Sequence, residues 1–245
     1  MKTKQIYQTL FLALLTIVLL PACKKTIEKK LTEQYNLSQK ATIQVYNGTI
    51  NSAKNYVYAD NKPVTGSILA YGSAFPASYG FTVDAGTVSV LIKDTSSTTT
   101  QTPLTISQFW APNAFYSVFT YDTITAAKQK TVLNDIEVPD DTTARLRFVN
   151  LIHSKTAIPS VDIFSIKRNG NVFTSIPTGT VTGFLRYAAE LSDTLLVRET
   201  GTTNLLFQLN GLNLARKRSY TLVFRGRYQS TSGTLARTLT SFLTY

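Results

Sequence analysis

Beyond residue 40 the chain alternates apolar and polar positions with a period of two, the pattern of β-strands with one buried face. The clearest stretches are Ile43 and Val45 around Gln44, Leu146 and Phe148 with Arg145 and Arg147, and Leu222 and Phe224 with Thr221 and Arg225. Clusters of Gly, Pro, Asn and Asp separate these stretches, as expected for turns. The pattern predicts an all-β chain beyond residue 40.

The same β-unit occurs twice along the chain. The matching segments, first copy before second, are 41–47 with 144–150, 90–95 with 195–200, 104–106 with 207–209, and 116–118 with 220–222. We therefore predict two tandem domains, 41–138 and 142–245, joined at Pro139-Asp140-Asp141. About seven short strands in each copy suit an immunoglobulin-like β-sandwich.

Three motifs of the second copy carry a family resemblance. They are 144–151 (ARLRFVNL), Val161-Asp162-Ile163 and 220–224 (YTLVF). They resemble the bacterial domain-of-unknown-function family 4397, whose members open with a Phe-Val-Asn-Leu strand, continue with Val-Asp-Val and close with a Tyr-Thr-Val-type strand. The first copy departs from this pattern, since Tyr46-Asn47-Gly48 replaces Val-Asn-Leu and 56–58 lacks the Asp. The resemblance implies an extracytoplasmic β-sandwich, often borne by lipoproteins or in tandem, with no established activity.

Residues 1–22 have the pattern of a bacterial signal peptide. Lys2 and Lys4 precede an apolar run over 10–20 that is too short to span a bilayer as a mature helix. The run ends in Leu20-Pro21-Ala22-Cys23, which resembles a lipobox, and Cys23 is the only cysteine. We predict cleavage before Cys23, its lipidation, and stable attachment through two or three acyl chains. An ordinary secretory signal with an incidental cysteine is the alternative.

Residues 23–40 are predicted to form a solvated tether between the lipid and the first domain. After Cys23 the tether begins with the basic sequence KKTIEKK, whereas some diderm bacteria mark surface-exposed lipoproteins with an acidic run at this place. The prediction is therefore a protein of the bacterial cell envelope, with the outer membrane favoured and the periplasmic or external face left open.

The composition leaves little room for the common catalytic chemistries. The 245 residues are 43% hydrophobic and 16% charged, so the chain can bury a core. One Cys and one His exclude an intrachain disulfide and the usual thiolate or His-rich metal sites. His153 is expected in an exposed loop, and no Gly-x-Ser-x-Gly turn presents a nucleophile. The carboxylates of the second copy form no evident pair: Asp140, Asp141, Asp162, Glu190, Asp193 and Glu199. We expect no enzyme activity and no cofactor.

Trp110 is the first candidate ligand-binding residue. It lies in an aromatic cluster, 108–116 (QFWAPNAFY), placed just before a predicted strand. Such a cluster on a loop stacks on sugar rings or anchors a partner protein. The alternative is that Phe109 or Trp110 caps the open end of the core.

Basic charge supplies the second group of candidates, because residues 143–245 hold 13 Lys and Arg against 4 Asp and Glu. Alternation places Arg145 and Arg147, and likewise Arg225 and Arg227, on the outward face of their strands. This face is either an ordinary solvated face, because period-2 strands need a polar outer side, or one that binds anionic envelope glycans or lipid headgroups. Nucleic acid is not an expected partner.

The sequence therefore predicts a lipid-anchored, non-catalytic binding or adhesion module whose ligand and oligomeric state it does not identify. A structural subunit of an envelope protein complex, pairing through exposed strand edges, is one alternative. A glycan-active hydrolase is the other, less favoured one. Three Asp-Thr-x triplets, at Asp122, Asp141 and Asp193, resemble periplasmic O-glycosylation sequons or arise by chance in a Thr-rich chain.

Overall fold

The computed structural model describes residues 37–96 and 100–245. The predicted signal peptide, Cys23 and most of the predicted tether lie outside these residues. The described part of the chain forms eighteen β-strands and no helix, so the predicted all-β class is confirmed. Within this part there is accordingly no helix of the length and hydropathy needed to cross a membrane.

The first nine strands form the N-terminal half. They are β1 (Lys40–Asn47), β2 (Asn55–Ala59), β3 (Lys62–Pro63), β4 (Ala74–Phe75), β5 (Phe81–Asp84), β6 (Gly86–Asp94), β7 (Leu104–Trp110), β8 (Phe115–Tyr121) and β9 (Lys128–Leu133). The other nine form the C-terminal half. They are β10 (Ala144–Asn150), β11 (Val161–Ser165), β12 (Gly170–Ile176), β13 (Thr180–Val181), β14 (Leu185–Tyr187), β15 (Asp193–Glu199), β16 (Leu205–Leu212), β17 (Ser219–Arg225) and β18 (Thr238–Leu243).

Each half contains two sheets in a sandwich-like pair. In the N-terminal half the order β4-β1-β8-β9, with β5 also on β1, forms the N-inner sheet, and β3-β2-β6-β7 forms the N-outer sheet. In the C-terminal half β13-β10-β17-β18, with β14 also on β10, forms the C-inner sheet, and β12-β11-β15-β16 forms the C-outer sheet. Among the described residues, no strand of one half pairs with a strand of the other.

The core of each half lies between its own inner and outer sheets. Ile43 and Val118 of the N-inner sheet share one apolar cluster with Val90 of the N-outer sheet. Leu146 and Leu222 of the C-inner sheet and Leu195 of the C-outer sheet hold the corresponding places in the C-terminal cluster. Period-2 alternation explains these clusters, since every second side chain of a strand points to the same face.

The pairing register is the same in both copies of the repeat. Ile43 pairs with Tyr116 in the parallel ladder of β1 and β8, and Leu146 pairs with Tyr220 in the parallel ladder of β10 and β17. The offsets are those of the sequence repeat, so residues aligned by the repeat hold equivalent places in the two ladders.

The two inner sheets pack against each other through the faces that point away from their own cores. Tyr46 and Phe119 of the N-inner sheet form a third apolar cluster with Val149 and Val223 of the C-inner sheet. Both faces of β10 are therefore covered, and all seven of its residues are buried. The alternation predicts that Arg145 and Arg147 lie on an outward face of this strand. This is wrong for β10, because period-2 alternation separates two faces without showing what covers the second.

Candidate functional site

A cavity of about 420 Å³ opens where the two inner sheets meet; we call it the inter-sheet cavity. It is lined by the end of β9, the connection that follows it, β10, and the segment from β13 to β14: Val132, Leu133, Asp135, Glu137, Arg145, Arg147, Val181, Thr182, Gly183 and Phe184. Its volume falls in the usual range of small-molecule sites. Two of the four arginines chosen from the sequence, Arg145 and Arg147, thus line one cavity.

Arg147 is a buried cation whose partners are all uncharged. Its side chain lies on the face of β10 opposite the core, and the residue is only 2% exposed. The guanidinium donates three hydrogen bonds: Nε to Thr221 Oγ1 at 2.8 Å, Nη1 to Asn134 Oδ1 at 2.7 Å, and Nη2 to Ser117 Oγ at 2.7 Å. Burial lowers the pKa of Arg147 to about 9, which leaves it protonated at neutral pH.

Aromatic rings cover the guanidinium of Arg147. Its Cζ lies 4.6 Å from the centroid of the Phe184 ring and 5.3 Å from that of Phe119. The loop that carries Phe184 is fixed next to β10, because Thr182 exchanges backbone and hydroxyl hydrogen bonds with Phe148 at 2.9 Å. These cation–π contacts offset part of the free-energy cost of desolvating the guanidinium, but the rings are neutral and do not compensate its charge.

The guanidinium of Arg147 keeps hydrogen-bonding capacity for a ligand. A guanidinium has five N–H donors, and three of those of Arg147 have acceptors among the residues that the structure describes. A buried cation without a carboxylate is costly, so an anion that enters the cavity gains unusually strong electrostatic and hydrogen-bonding partners.

Arg145 adds a second cation to the same cavity wall. It lies two residues before Arg147 on β10, hence about 7 Å away on the same face. Its Nη1 donates to Thr143 Oγ1 at 3.3 Å, and its Nη2 lies 3.5 Å from Glu137 Oε2. The Arg145 side chain is 7% exposed and that of Glu137 is 78% exposed. Solvent weakens this ion pair from the Glu137 side, so it does not saturate Arg145.

Arg225 and Arg227 do not join this cavity. Arg225 also faces the N-inner sheet, where its Nε donates to Tyr46 Oη at 3.0 Å and its Cζ lies 4.7 Å from the Tyr71 ring centroid. Arg227 lies beyond the end of β17 and is exposed. The prediction of one outward arginine face is therefore wrong: Arg145, Arg147 and Arg225 point between the halves, and only Arg227 is exposed to solvent.

Trp110 belongs to the core rather than to an exposed aromatic surface. It is 0% exposed, its Nε1 donates to the carbonyl oxygen of Val88 at 2.7 Å, and its ring meets Tyr116 edge-on at 5.1 Å. The exposure expected of a ligand-stacking Trp110 is not found, and the alternative of a core residue agrees with the structure. The neighbouring Phe109 is the exposed aromatic, at 66%.

His153 does not lie free in an exposed loop, which corrects the expectation from the sequence. Its Nδ1 lies 3.1 Å from Asp122 Oδ1, and Lys128 Nζ lies 2.8 Å from Asp122 Oδ2. Burial acts to raise the pKa of Asp122, but hydrogen bonds from Lys128 and the Thr123 backbone, with the nearby charges, outweigh it and lower the pKa. This contact ties the N-terminal half to the C-terminal half, and a further cavity of about 270 Å³ lies beside it.

Most of the candidate carboxylates of the C-terminal half stabilise separate local structures. Asp162 accepts from the Ser175 amide at 2.7 Å, and Asp193 accepts from the Lys167 amide at 3.0 Å. The others have partners of their own: Asp141 with Thr143 and Arg186, Glu190 with Arg216, and Glu199 with Tyr228. Within residues 37–96 and 100–245, no group of three or more His, Cys, Asp or Glu side chains could hold a metal ion.

Sequence reasoning did not select several residues that surround the guanidinium of Arg147. Ser117, Asn134 and Phe184 come from three separate elements and meet only because the two inner sheets pack face to face. No sequence signal marks them. The sequence did point to Arg145 and Arg147, at alternate positions of β10, but it predicted that they lie on an outward face, whereas both are buried.

The comparisons leave the family open. No protein-family model matches the chain, and no curated protein matches its sequence. The function must therefore be argued from the site.

Proposed function

We propose that this protein is a lipid-anchored, non-catalytic binding module of the bacterial cell envelope. Its inter-sheet cavity receives the anionic group of a ligand. The two copies of the repeat are tandem immunoglobulin-like domains of the kind that the motif resemblance implies. Attachment through Cys23 keeps the site at a membrane surface, with the tether over residues 23–40 setting its distance from the lipid.

The observation that carries this proposal is the environment of Arg147. A permanently charged side chain is buried with three neutral acceptors, lines a cavity of about 420 Å³, and is joined there by Arg145. Arginine is the side chain best suited to phosphate and carboxylate recognition, because its planar fork binds two oxygens at once.

Calorimetric titration of the full chain with ethyl phosphate, in an uncharged detergent, tests the proposal. Arg145→Gln should weaken binding about tenfold or more, because a charge-assisted hydrogen bond contributes about 1.5–3 kcal/mol. Arg227→Gln is the matched control, since Arg227 is exposed and is not part of the cavity lining. Equal binding by the two variants, or no binding by the unmodified chain, would contradict the proposal.

A second candidate, the structural subunit, is supported by the edge strand β7. This strand ends the N-outer sheet, and its seven residues pair with β6 in an uninterrupted register. A regular terminal strand of this kind is a template for strand addition by another chain. If another envelope protein adds a strand to β7, Phe109→Lys and Ser107→Lys should abolish its co-purification with this chain. Ethyl phosphate binding should stay unchanged.

A further inference from the structure

The mouth of the inter-sheet cavity carries two carboxylates. Asp135 and Glu137 both line the cavity, and both are exposed. They belong to residues 134–143, which contain no strand. Asn134 fixes the start of this segment. Its backbone N–H donates to the carbonyl oxygen of Phe115 at 2.7 Å, and its side chain accepts a hydrogen bond from Arg147 and donates one to Ser117. Asp135 is therefore fixed beside the cavity, and Glu137 is placed there by the 3.5 Å contact of its Oε2 with Arg145 Nη2.

The cavity thus has two charged levels of opposite sign. Arg145 and Arg147 are buried and form the inner level, whereas Asp135 and Glu137 are solvated and form the outer level. A ligand with only negative charge is attracted by the inner level but must pass and remain beside the outer one. A ligand with an anionic and a cationic group can satisfy both levels, which is the electrostatic complementarity that gives specificity.

We infer that the inter-sheet cavity selects a small zwitterion, with an oxyanion on Arg145 and Arg147 and a primary ammonium on Glu137 and Asp135. The inference rests on the proposed function and adds the ligand class to it. Val132, Val181 and Phe184 give the wall apolar surface, which suits the short carbon spacer between the two charges. Both phosphoethanolamine headgroups and the ends of short peptides have this chemistry.

Three matched probes test the inference on the full chain in an uncharged detergent: phosphoethanolamine, ethyl phosphate, which lacks the ammonium, and ethylamine, which lacks the phosphate. Phosphoethanolamine should bind about fivefold tighter than ethyl phosphate, the upper value for one solvated ion pair. Ethylamine should bind weakest, because it meets only the exposed carboxylates.

The variant Glu137→Gln separates this inference from simple anion binding. It should weaken the binding of phosphoethanolamine and remove the affinity advantage of phosphoethanolamine over ethyl phosphate. Ethyl phosphate should bind at least as tightly as before, because a carboxylate that repels it is lost. Glu190→Gln is the control: Glu190 is also exposed and paired with an arginine, Arg216, but is not part of the cavity lining. Thermal melts of both variants should match the unmodified chain, since exposed pairs stabilise little.

Each failure has its own signature. If ethyl phosphate and phosphoethanolamine bind equally, or if Glu137→Gln changes both in proportion, the zwitterion inference is wrong and the anion site stands. If neither binds, the proposed function fails as well. Dihexanoyl phosphatidylethanolamine and glycylglycine then distinguish the sources: tighter binding of the first assigns a lipid headgroup, and tighter binding of the second assigns a peptide. Dihexanoyl phosphatidylcholine, whose nitrogen has no N–H donor, should bind no better than ethyl phosphate.

Discussion

Gln44 and Arg147 occupy the same position in the two copies of the repeat. Gln44 pairs with Ser117 in the parallel ladder of β1 and β8, and Arg147 pairs with Thr221 in that of β10 and β17. Both side chains are buried on the face that meets the opposite inner sheet. The repeated architecture therefore accepts a neutral amide where the second copy carries a guanidinium. The charge of Arg147 is not a requirement of the strand pairing, which supports a role in binding.

The variant Arg147→Gln places the first copy's own residue in the second. It should fold with an unfolding free energy about 1 kcal/mol lower, because part of the hydrogen bonding is kept, and it should lose ethyl phosphate binding. Arg147→Ala should cost about 3 kcal/mol, since it also leaves an unfilled space and unpaired buried acceptors. Urea unfolding and calorimetric titration measure the two effects. Equal destabilisation by Gln and Ala, with binding retained in the Gln variant, would show that Arg147 is structural.

Gly72 lies against the guanidinium of Arg225, which contacts Tyr46 of the N-terminal half. Its φ is +79°, and a Cβ there would lie 2.4 Å from the Cζ of Arg225. Gly72→Ala should therefore strain the backbone and displace Arg225 from Tyr46. Together these effects should lower the unfolding free energy by about 2–3 kcal/mol. Gly233 is the matched control, because its φ is also +79° but a Cβ would meet nothing within 4 Å.

The difference between these two glycine variants isolates the steric contact from the backbone strain. Gly233→Ala should cost only about 1 kcal/mol, the strain of a left-handed residue that is not glycine. Chemical denaturation of both variants provides the comparison. If the two variants lose the same stability, the loop at Gly72 adjusts freely and the Arg225 contact contributes nothing.

Acid should destabilise the C-terminal half through Asp193. Burial acts to raise the pKa of Asp193, but hydrogen bonds from Ser165 and Tyr187 and from the amides of Lys167 and Thr194 outweigh it, so the pKa is lowered. Because the folded state binds the carboxylate form more tightly, this stabilisation is complete above the unfolded pKa of about 3.9 and is lost as pH falls through the folded pKa.

The variant Asp193→Asn tests this acid dependence. It should lower the unfolding free energy at pH 7 by about 1–3 kcal/mol and flatten the dependence on pH below about 4. Asp84→Asn, at an exposed carboxylate near Lys40, serves as control. An Asp193→Asn variant whose stability falls with acid as steeply as that of the unmodified chain would refute the assignment.

Trp110 should report the core of the N-terminal half. As the only tryptophan, fully buried with its Nε1 bonded to Val88, it should emit at short wavelength and resist quenching by iodide until the half unfolds. Trp110→Phe should cost about 1–3 kcal/mol, from lost volume and an unpaired carbonyl. Efficient iodide quenching of the folded protein would show that Trp110 is exposed and would contradict its place in the core.

The sequence was sufficient for the local structure and insufficient for the packing between halves. Alternation around Ile43 and Leu146 predicted their strands, because side-chain direction along a strand is a local property. The environment of Arg147 depends on a second sheet, whose Ser117 lies 30 residues earlier in the chain, and no period in the sequence encodes that packing. Asn134 shows the same limit: no sequence pattern marks it, yet its side chain accepts a hydrogen bond from Arg147 in the structure.

The predicted lipid anchor at Cys23 lies outside the described residues. Since Cys23 is the only thiol of the chain, Cys23→Ala should incorporate no fatty-acid probe and should accumulate as an uncleaved or soluble species. A variant with Lys24→Ala, just beyond the lipobox-like residues, should remain labelled and membrane-bound. The reason is chemical, because acylation needs a thiolate acceptor and no second cysteine can replace it. Metabolic labelling followed by membrane fractionation measures both outcomes. Label in the Cys23→Ala protein would rule out lipidation at this position, and the inter-sheet cavity would then have to meet its ligand without a lipid tether.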